Sequence, residues 1–478
     1  MADNNQKPHA IFIAYPLQGH VIPSVHLAVK LASHGFIVTF INTNAIHNQT
    51  TKARSGGADE NPFAGARQAG LDIRYCTVSD GLPVEFDRSL NHDQFMAALL
   101  HVMSAHVEEV VGRIVRCSEE EGAVVKCLIA DTFFVWPSKI AKKFGLVCVS
   151  FWTEAALVFS LYYHLHLLRN NGHFDCDNGV REDTIDYIPG VKAIDPKDMT
   201  SYLQEHDTTS VCHQIIFKAF KDAKEAHFVL CNTIQELEPT TIEALEAQKP
   251  FYAIGPIFST GLTKSPVATS LWTESDCTQW LNTKPNASVL YVGFGSYAHL
   301  KRRDLVEIAN GLLLSNVNFL WVLRPDIVSS DEVDPLPVGF RERACDRSMI
   351  VPWCSQTAVL AHPAIGGFLT HCGWNSILES IWCKIPLLCF PLLTDQFTNR
   401  KLVVNDWKIG ISLNNQGLVD RYEVSEKINR LMCGKSGFEY SKAVQEMKII
   451  LDNALGPNGS SKKNMDQFIK DLKTRIQE

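Results

Sequence analysis

Short apolar runs alternate with longer amphipathic segments along most of the chain. In the first half the apolar runs occupy residues 9–15, 36–42, 71–78, 125–130, 146–151 and 228–231. Helical periodicity between them is clearest at residues 22–33, 93–115, 132–143 and 210–225. Continuous apolar runs bounded by turn residues are typical of strands buried on both faces. Strands that alternate with helices predict a parallel sheet covered by helices, so we expect an α/β fold.

The same alternation restarts after a segment rich in Gly, Ser, Thr and Pro at residues 255–271, which we interpret as a linker. Further strands are predicted at residues 288–292, 319–323 and 365–370, and further helices at 301–314, 377–382, 398–405, 424–432, 439–454 and 462–476. A chain of 478 residues is too long for one core. We therefore expect two doubly wound domains, residues 1–254 and 272–459, followed by a C-terminal helix within 460–478.

Composition narrows the class of protein further. Hydrophobic residues make up 46% of the chain and charged residues 20%, with a net charge of −7, which argues against nucleic acid or an anionic membrane as a main partner. The 14 cysteines form no C-x-x-C pair, as expected for buried thiols in a reducing compartment. The apolar stretch 147–168 contains Thr153, Glu154, His164 and His166, so we expect no membrane insertion. These features predict a cytoplasmic protein, which we expect to be a monomer.

Residues 353–396 are the most informative stretch of the sequence. The predicted strand 365–370 ends in the turn His371-Cys372-Gly373, and Asn375 and Ser376 suit the start of the following helix. The first amide groups of a helix lack intrahelical partners and lie at the positive end of its dipole. This strand, turn and helix therefore predict a site for a phosphate group.

The same stretch closely resembles the signature box of plant family 1 UDP-dependent glycosyltransferases, from Trp353 through the HCGWNS core to Asp395-Gln396. The resemblance extends to Gly19-His20, to Asp131 and to the loop at residues 293–296. It implies a GT-B fold, in which two Rossmann-like domains face each other across a cleft and the final helix packs back on the first. It also implies an inverting UDP-glucosyltransferase that needs no metal and no cofactor besides its UDP-glucose co-substrate.

Carried over position by position, the resemblance implies a donor site. Trp353 would stack on uracil, the Cys354 backbone and Gln356 would hold the uridine, and Glu379 would accept hydrogen bonds from the ribose. The remaining positions would bind the two phosphates, with Ser296, His371, Gly373, Asn375 and Ser376, and the sugar hydroxyls, with Trp374, Asp395 and Gln396. In the resembled family the final Gln396 favours glucose over galactose.

Two residues are candidates for the chemical step. His20 follows the first strand, at the edge where open α/β sheets bind ligands, and a neutral imidazole there can take a proton from a hydroxyl. Asp131 ends another apolar run and could orient that imidazole, or it could cap a helix beginning at Thr132. The resemblance implies a catalytic pair of His20 and Asp131.

The acceptor is expected to be a small lipophilic molecule with a hydroxyl group. An apolar pocket is predicted from six side chains near strand ends: Leu17, Phe86, Phe133, Phe151, Trp152 and Phe390. Such a lining offers few polar groups to a polyphenol, so we expect a terpenoid before a flavonoid or a phenylpropanoid.

Two alternatives stay open at this point. Residues 293–298, GFGSYA, fit a dinucleotide fingerprint, with Asp326 as a ribose ligand, which would indicate an NAD(P)-dependent oxidoreductase. A non-catalytic UDP-sugar sensor is the other alternative, although His20 and Asp131 argue against it. Metal sites are disfavoured, because His371 and Cys372 with Cys354 lack zinc spacing and Asp175-Cys176-Asp177 resembles a solvated turn.

Overall fold

The computed structural model describes residues 7–54, 61–121, 123–174, 183–205, 207–257, 267, 269–328, 334–413 and 419–478. The chain forms two compact units. One consists of Met1–Pro196, Tyr202–Trp272 and Asn453–Glu478, and the other of Lys197–Ser201 and Thr273–Asp452. This division differs from the predicted domains at residues 197–201, at Trp272 and at residues 453–459, each of which lies with the other unit. Most of the predicted linker and the Asp175-Cys176-Asp177 motif lie outside the described residues.

Within its described residues, the first unit contains a seven-stranded parallel sheet in the order β3-β2-β1-β4-β5-β6-β7. The strands are β1 (His9–Ile13), β2 (Ile37–Thr43), β3 (Ile73–Val78), β4 (Val125–Asp131), β5 (Val147–Trp152), β6 (Phe228–Cys231) and β7 (Phe251–Ala253). The helices are α1 (Gln18–Ser33), α2 (Asn44–Ala53), α3 (Ala64–Gln68), α4 (His92–His101), α5 (Met103–Glu120), α6 (Pro137–Lys143), α7 (Ala156–Tyr163), α8 (Leu165–Asn170), α9 (Ser201–Gln204), α10 (Val211–Glu225) and α11 (Pro239–Glu246).

Both faces of the first sheet are buried, and the alternation of side chains along each strand divides them between two cores. On β1, Ala10 and Phe12 enter one hydrophobic cluster, whereas Ile11 and Ile13 enter the other. Because β1 pairs with both β2 and β4, the strand order reverses there. The loop after β1 and the end of β4 are therefore neighbours, and open α/β sheets bind ligands at such a point.

The second unit also consists of a parallel sheet whose strands alternate with helices. In the part of the chain that the structure describes, its parallel sheet has six strands in the order β10-β9-β8-β11-β12-β13. These are β8 (Val289–Gly293), β9 (Asn318–Val322), β10 (Ser348–Val351), β11 (Ile365–Thr370), β12 (Leu387–Cys389) and β13 (Gly410–Ser412). Its helices are α12 (Thr278–Asn282), α13 (Arg302–Ser315), α14 (Phe340–Ala344), α15 (Gln356–Leu360), α16 (Trp374–Cys383), α17 (Gln396–Lys401), α18 (Arg421–Met432) and α19 (Gly434–Leu455).

Three predicted helices of the first unit are corrected by the structure. Helix α1 begins at Gln18 and not at residue 22, so His20 lies in its first turn. Residues 132–136 form turns, and α6 begins only at Pro137. The predicted helix 93–115 consists of two helices, α4 and α5, bent by 46°. In this last case the apolar periodicity continues through the break, so the pattern alone does not show it.

No described helix is by itself both long and apolar enough to cross a membrane, although the bent pair α4 and α5 meets the criteria of length and composition when taken together.

The last helix, α20 (Ser460–Gln477), packs on the first sheet. Its Met465, Phe468 and Leu472 are buried in the cluster that contains Phe12. The Phe468 ring lies 5.8 Å from the ring of Phe228 and 5.7 Å from that of Tyr252, measured between centroids. The hydroxyl of Tyr252 donates to Asp471 at 2.7 Å, so α20 is joined to β7 by a polar contact as well.

Replacing Phe468 by Ala should destabilise the first unit by about 3–5 kcal/mol, because it removes a fully buried ring and leaves a cavity. Urea unfolding followed by circular dichroism would measure the loss. The control is Lys470→Ala, at an exposed position of the same helix. Equal unfolding midpoints for F468A and K470A would show that α20 does not stabilise this unit.

Candidate active site

His20 and Asp131 are brought together at the strand reversal of the first sheet. His20 Nδ1 lies 2.8 Å from Asp131 Oδ2, and both residues are buried, with 9% and 1% of their surface exposed. Thr153, which follows β5, places its hydroxyl 2.9 Å from the same nitrogen. The structure therefore forms the predicted pair and adds Thr153 to it.

The partners of His20 determine which ring nitrogen holds the proton. A carboxylate can only accept hydrogen bonds, so Nδ1 donates its proton to Asp131 and Nε2 keeps a free lone pair. Nε2 makes no hydrogen bond to any described residue of the protein. An imidazole held in this tautomer by a carboxylate is the arrangement that general bases use.

Asp131 does not cap a helix. Its Oδ1 accepts a hydrogen bond from the Phe133 backbone amide at 2.9 Å, within the turn formed by residues 132–136. This bond holds Oδ1 in place, while Oδ2 contacts His20. The alternative role of Asp131 as an N-cap is wrong, because α6 begins only at Pro137.

Aromatic rings surround His20. The ring centroids of Tyr15 and Phe133 lie 5.3 Å and 5.5 Å from that of the imidazole, and Phe133 lies 5.1 Å from Trp152. Leu17 packs partly buried in the same cluster as Tyr15 and Phe133. Three of the predicted pocket residues, Leu17, Phe133 and Trp152, are therefore grouped near the imidazole.

The other three predicted pocket residues lie elsewhere. Phe151 is fully buried in the core on the opposite side of the sheet, 6.1 Å from Phe12, so it does not line a ligand pocket as predicted. Phe390 is buried in the core of the second unit against Phe294. Phe86 lies in a turn, where Arg88 donates to its carbonyl, and no described contact joins it to His20.

The second cluster lies where β11 ends. Cys372 adopts a left-handed backbone conformation with φ of 69°, and Gly373 is the N-cap of α16. Helix α16 begins at Trp374 and not at residue 377, and Gly373 has no side chain to satisfy its first amides. Trp374, Asn375 and Ser376 form the first turn of α16, and the amino end of a helix is a favourable position for an anion.

The His371 ring fills the space between two glycines. A Cβ atom added to Gly295 would lie 2.5 Å from His371 Nε2, and one added to Gly373 would lie 2.6 Å from it. Gly295 also has a φ of +70°, which favours glycine. The loop after β8 and the start of α16 can thus approach the same imidazole only because both positions are glycine.

Burial lowers the pKa of His371 to about 4, with a smaller contribution from the nearby Arg324 guanidinium. A hydrogen bond with the Gly293 backbone acts in the opposite direction. His371 is therefore neutral near pH 7, and any anion at this position is met by hydrogen-bond donors and not by an imidazolium.

Three polar side chains of the signature form a network. Gln356 Nε2 donates to Ser376 Oγ at 2.9 Å and to Glu379 Oε2 at 2.7 Å, and the Tyr291 hydroxyl lies 3.4 Å from Gln356 Oε1. Burial raises the pKa of Glu379 to about 7, and the bond from Gln356 opposes this shift. Glu379 is therefore partly protonated near neutral pH and needs donors before it can hold a full charge.

Asp395 and Gln396 shape the loop that leads into α17. Asp395 accepts from Thr394 Oγ1 at 2.7 Å and from Asn399 Nδ2 at 2.5 Å. Gln396 Oε1 accepts from the backbone amides of Leu392 and Leu393. Both side chains thus hold their own loop in place, and both are at least nine-tenths buried.

Trp353 and Cys354 lie before α15. Trp353 is half-buried, and its carbonyl accepts from the Ser275 amide at 2.9 Å. Cys354 is buried with its sulfur 3.9 Å from the Tyr291 hydroxyl. The thiol therefore faces the interior of the unit, in agreement with a role for its backbone alone.

The loop with the GFGSYA sequence does not form a dinucleotide fingerprint. In that fingerprint the third small residue lies in the first turn of a helix, whereas α13 begins only at Arg302. Asp326 is joined to Arg324 at 3.1 Å. The half-buried Ser296 lies in this loop, beside the glycine that contacts His371.

Sequence reasoning missed several residues of these clusters, among them Thr153, Arg324 and Asn399. Asn399 donates to the Cys372 carbonyl as well as to Asp395, and so connects the sugar-binding candidates to the phosphate turn. Asn399 could have been found from its position on a predicted helix, four residues after Asp395. Arg324, a cation directly after an apolar run, was a comparable signal.

One group of described residues has metal-ligand chemistry: His92, Asp93 and Cys212, whose ligand atoms lie within 4.8 Å of one another. None of the predicted site residues belongs to it. The distance of 3.4 Å between Cys212 Sγ and His92 Nε2 fits a thiol hydrogen bond.

The chain is similar to known proteins in both sequence and fold. Residues 267–437 match the family model described as UDP-glucoronosyl and UDP-glucosyl transferase. The chain is 61% identical to UDP-glycosyltransferase 86A2 of Arabidopsis thaliana over 98% of this chain and 95% of that protein. It is 34% identical to 7-deoxyloganetin glucosyltransferase of Catharanthus roseus over 99% and 98%. Among solved structures, Phytolacca americana UGT2 complexed with UDP-2fluoro-glucose and pterostilbene aligns with a TM-score of 0.77 and 26% identity, over 98% of this chain and 100% of that one.

Two parallel-sheet α/β units, the second with a helix that begins directly after the turn following β11, are consistent with the GT-B fold of the solved glycosyltransferases. The chain belongs to the plant family 1 UDP-glycosyltransferases, which confirms both the predicted family and the predicted fold. It is an enzyme that uses a UDP-sugar as donor and a small plant metabolite as acceptor. The oxidoreductase alternative is not favoured.

The raised pKa of Glu379 predicts a pH-dependent stability. A carboxyl group whose pKa is raised on folding stabilises the native state fully below its unfolded pKa, and this contribution is lost as pH rises through about 7. The ligand-free protein should therefore lose stability relative to Glu379→Gln between about pH 5 and pH 8, by on the order of 3 kcal/mol or less. Thermal unfolding across this range would measure the difference. The control is Glu426→Gln, at an exposed position of α18, and parallel curves for E379Q and the wild type would contradict the assignment.

Proposed function

We propose that the enzyme transfers glucose, with inversion, from UDP-glucose to a hydroxyl group of a small lipophilic acceptor. The observation that supports this most directly is the pair of His20 and Asp131, whose 2.8 Å contact leaves Nε2 of a buried imidazole ready to accept a proton. A protein that only binds UDP-sugars has no use for such a base. The proposal assigns proton removal to the first unit and donor binding to the second.

In the proposed reaction the acceptor oxygen gives its proton to His20 Nε2 as it attacks the anomeric carbon. The new carbon–oxygen bond forms on the face opposite UDP, and the bond between that carbon and the β-phosphate oxygen breaks. UDP leaves with the bonding electron pair. Asp131 stabilises the imidazolium that results, and Thr153 helps to hold the ring.

The donor roles follow the positions of the signature residues. Trp353 would stack on uracil, with the Cys354 backbone and Gln356 beside it. Glu379 would receive the ribose hydroxyls, whose hydrogen bonds favour the charged carboxylate that burial disfavours.

The diphosphate and sugar would occupy the adjoining part of the second unit. The donors assigned to the phosphates are the amino end of α16, the hydroxyls of Ser296 and Ser376, the side-chain amide of Asn375 and the imidazole of His371. Asp395 and Gln396, with Trp374, would bind the sugar hydroxyls, and Asn399 would hold Asp395 in place.

Glucose is proposed as the sugar on two grounds. Gln396 ends the signature, and the aligned relatives include one named for glucosyl transfer and one solved with UDP-2fluoro-glucose. Since the proposed charge stabilisation uses amides and hydroxyls, we propose that the reaction needs no metal ion. For the acceptor we propose a terpenoid alcohol first, because Tyr15, Leu17 and Phe133 form a mostly apolar wall around His20.

The proposed function is tested by UDP release from UDP-glucose in the presence of EDTA, with a panel of terpenoid, flavonoid and phenylpropanoid alcohols. Release that depends on an acceptor and survives EDTA would support it. Release that stops with EDTA and returns with a divalent cation would contradict the metal-free mechanism. Protection from heat by UDP-glucose without release for any acceptor would favour the sensor.

Replacing His20 by Ala should lower turnover by about 10²- to 10⁴-fold, because it removes the general base. Binding of UDP-glucose, measured by calorimetry, should stay within a few-fold of the wild type, since His20 is assigned no donor contact. His34→Ala changes a histidine at the end of the same helix and should leave turnover unchanged. Near-normal turnover in H20A would place the base elsewhere.

The stereochemistry of the product provides an independent prediction. A single displacement on UDP-α-glucose should yield only the β-glucoside, because the acceptor attacks from the face opposite UDP. The coupling constant of the anomeric proton in the product's NMR spectrum distinguishes the two anomers. An α-linked product would require a different mechanism.

A further inference from the structure

Arg324 is an almost fully buried cation with no role in the donor assignments above. It follows β9, and only 1% of its surface is exposed. Its guanidinium donates from Nη1 to the Gly295 carbonyl at 2.7 Å and from Nη2 to the Ala298 carbonyl at 2.6 Å. On its other side Nε donates to Asp326 at 3.1 Å. The planar group therefore holds both ends of residues 295–298 at once.

These two bonds determine where the amides of the loop point. In a trans peptide the C=O of one residue and the N–H of the next are antiparallel. Since the Gly295 carbonyl points at Arg324, the Ser296 N–H points away from it. The Ser296 amide has no acceptor within the described residues, and Ser296 is half-exposed. The loop thus presents an unpaired donor on the side opposite the guanidinium.

The same loop is packed against the phosphate turn. The Gly295 Cα lies directly against the His371 ring, which in turn contacts Gly373 at the start of α16. The charge of Arg324 reaches His371, where it contributes to lowering the imidazole pKa. Arg324, the 295–298 loop and the α16 terminus are therefore parts of one continuous structure in the second unit.

We propose that Arg324 is the positioning residue of the diphosphate site, holding the 295–298 loop so that the Ser296 amide and hydroxyl face the phosphates. The guanidinium is too deeply buried to touch the donor, so it acts through the loop and through its charge behind that loop. This inference rests on the proposed donor site. It predicts that the contribution of Arg324 depends on the phosphates and not on the uridine.

The test compares binding of uridine, UMP and UDP to the wild type, to Arg324→Gln and to Arg324→Lys by calorimetry. R324Q should lose about 10- to 100-fold in UDP affinity and less than about threefold in uridine affinity, as for loss of hydrogen bonds to a charged group. R324K keeps the charge but cannot hold two carbonyls in the same geometry, so its UDP affinity should be intermediate. Arg341→Gln removes an exposed arginine paired with Asp334 in the same unit and should change neither affinity.

Equal losses for uridine and UDP in R324Q would overturn the inference, since they would show a general structural role. An unchanged UDP affinity in a folded R324Q would overturn it too. If R324Q does not fold, R324K decides, because a selective loss of UDP affinity supports the inference and an equal or absent loss rejects it. A wild type that fails to bind UDP would instead refute the proposed donor site, so the two failures are distinguishable.

Discussion

Each unit depends on one pair of adjacent parallel strands at which the strand order of its sheet reverses. In the first unit these are β1 and β4, with Ile13 opposite Ala130, and in the second β8 and β11, with Gly293 opposite Thr370. Chain segments that leave two such strands run to opposite faces and open a recess at the carboxyl edge. His20 and Asp131 lie at the first recess, and Gly295 and His371 at the second. The chemistry of both units follows from these two pairings.

The two recesses contain different chemical groups. The first has an imidazole and a carboxylate in hydrogen-bond contact, with aromatic rings beside the imidazole. The second has amides, hydroxyls and side-chain amides, with a neutral His371 and a Glu379 whose charge is suppressed by burial. A site of this second kind is completed by a ligand rich in hydroxyl and phosphate groups, because such a ligand supplies the partners that the buried groups lack.

Hydrogen bonds between side chains and neighbouring elements hold the second recess in shape. Gln356 joins α15 to Ser376 and Glu379 on α16, and Asn399 joins α17 to the Cys372 carbonyl. Arg324 likewise holds the loop after β8, through hydrogen bonds to the carbonyls of Gly295 and Ala298. Residues 197–201 belong to this unit because Ser201 and Asp198 hydrogen-bond to Thr394 and Thr398, next to the Asp395-Gln396 pair. Preorganised donors of this kind need little rearrangement when charge develops on a leaving group.

The amino-acid sequence by itself determined the α/β class, most strands and the donor motif, because these depend on residues close together in the chain. Residues 353–396 are contiguous, so Trp353, His371, Glu379 and Gln396 could be recognised together. Strands of only three residues, namely β7, β12 and β13, were too short for a periodic pattern. The contacts of Arg324 with Gly295 and of Thr153 with His20 span 29 and 133 residues, so only the folded chain could reveal them.

The sequence could not distinguish the surroundings of Phe133 from those of Phe151, because the two side chains are equally apolar. Tertiary structure decided that Phe133 contacts His20 and that Phe151 is buried in the opposite core, because side chains on a sheet are divided between its two faces.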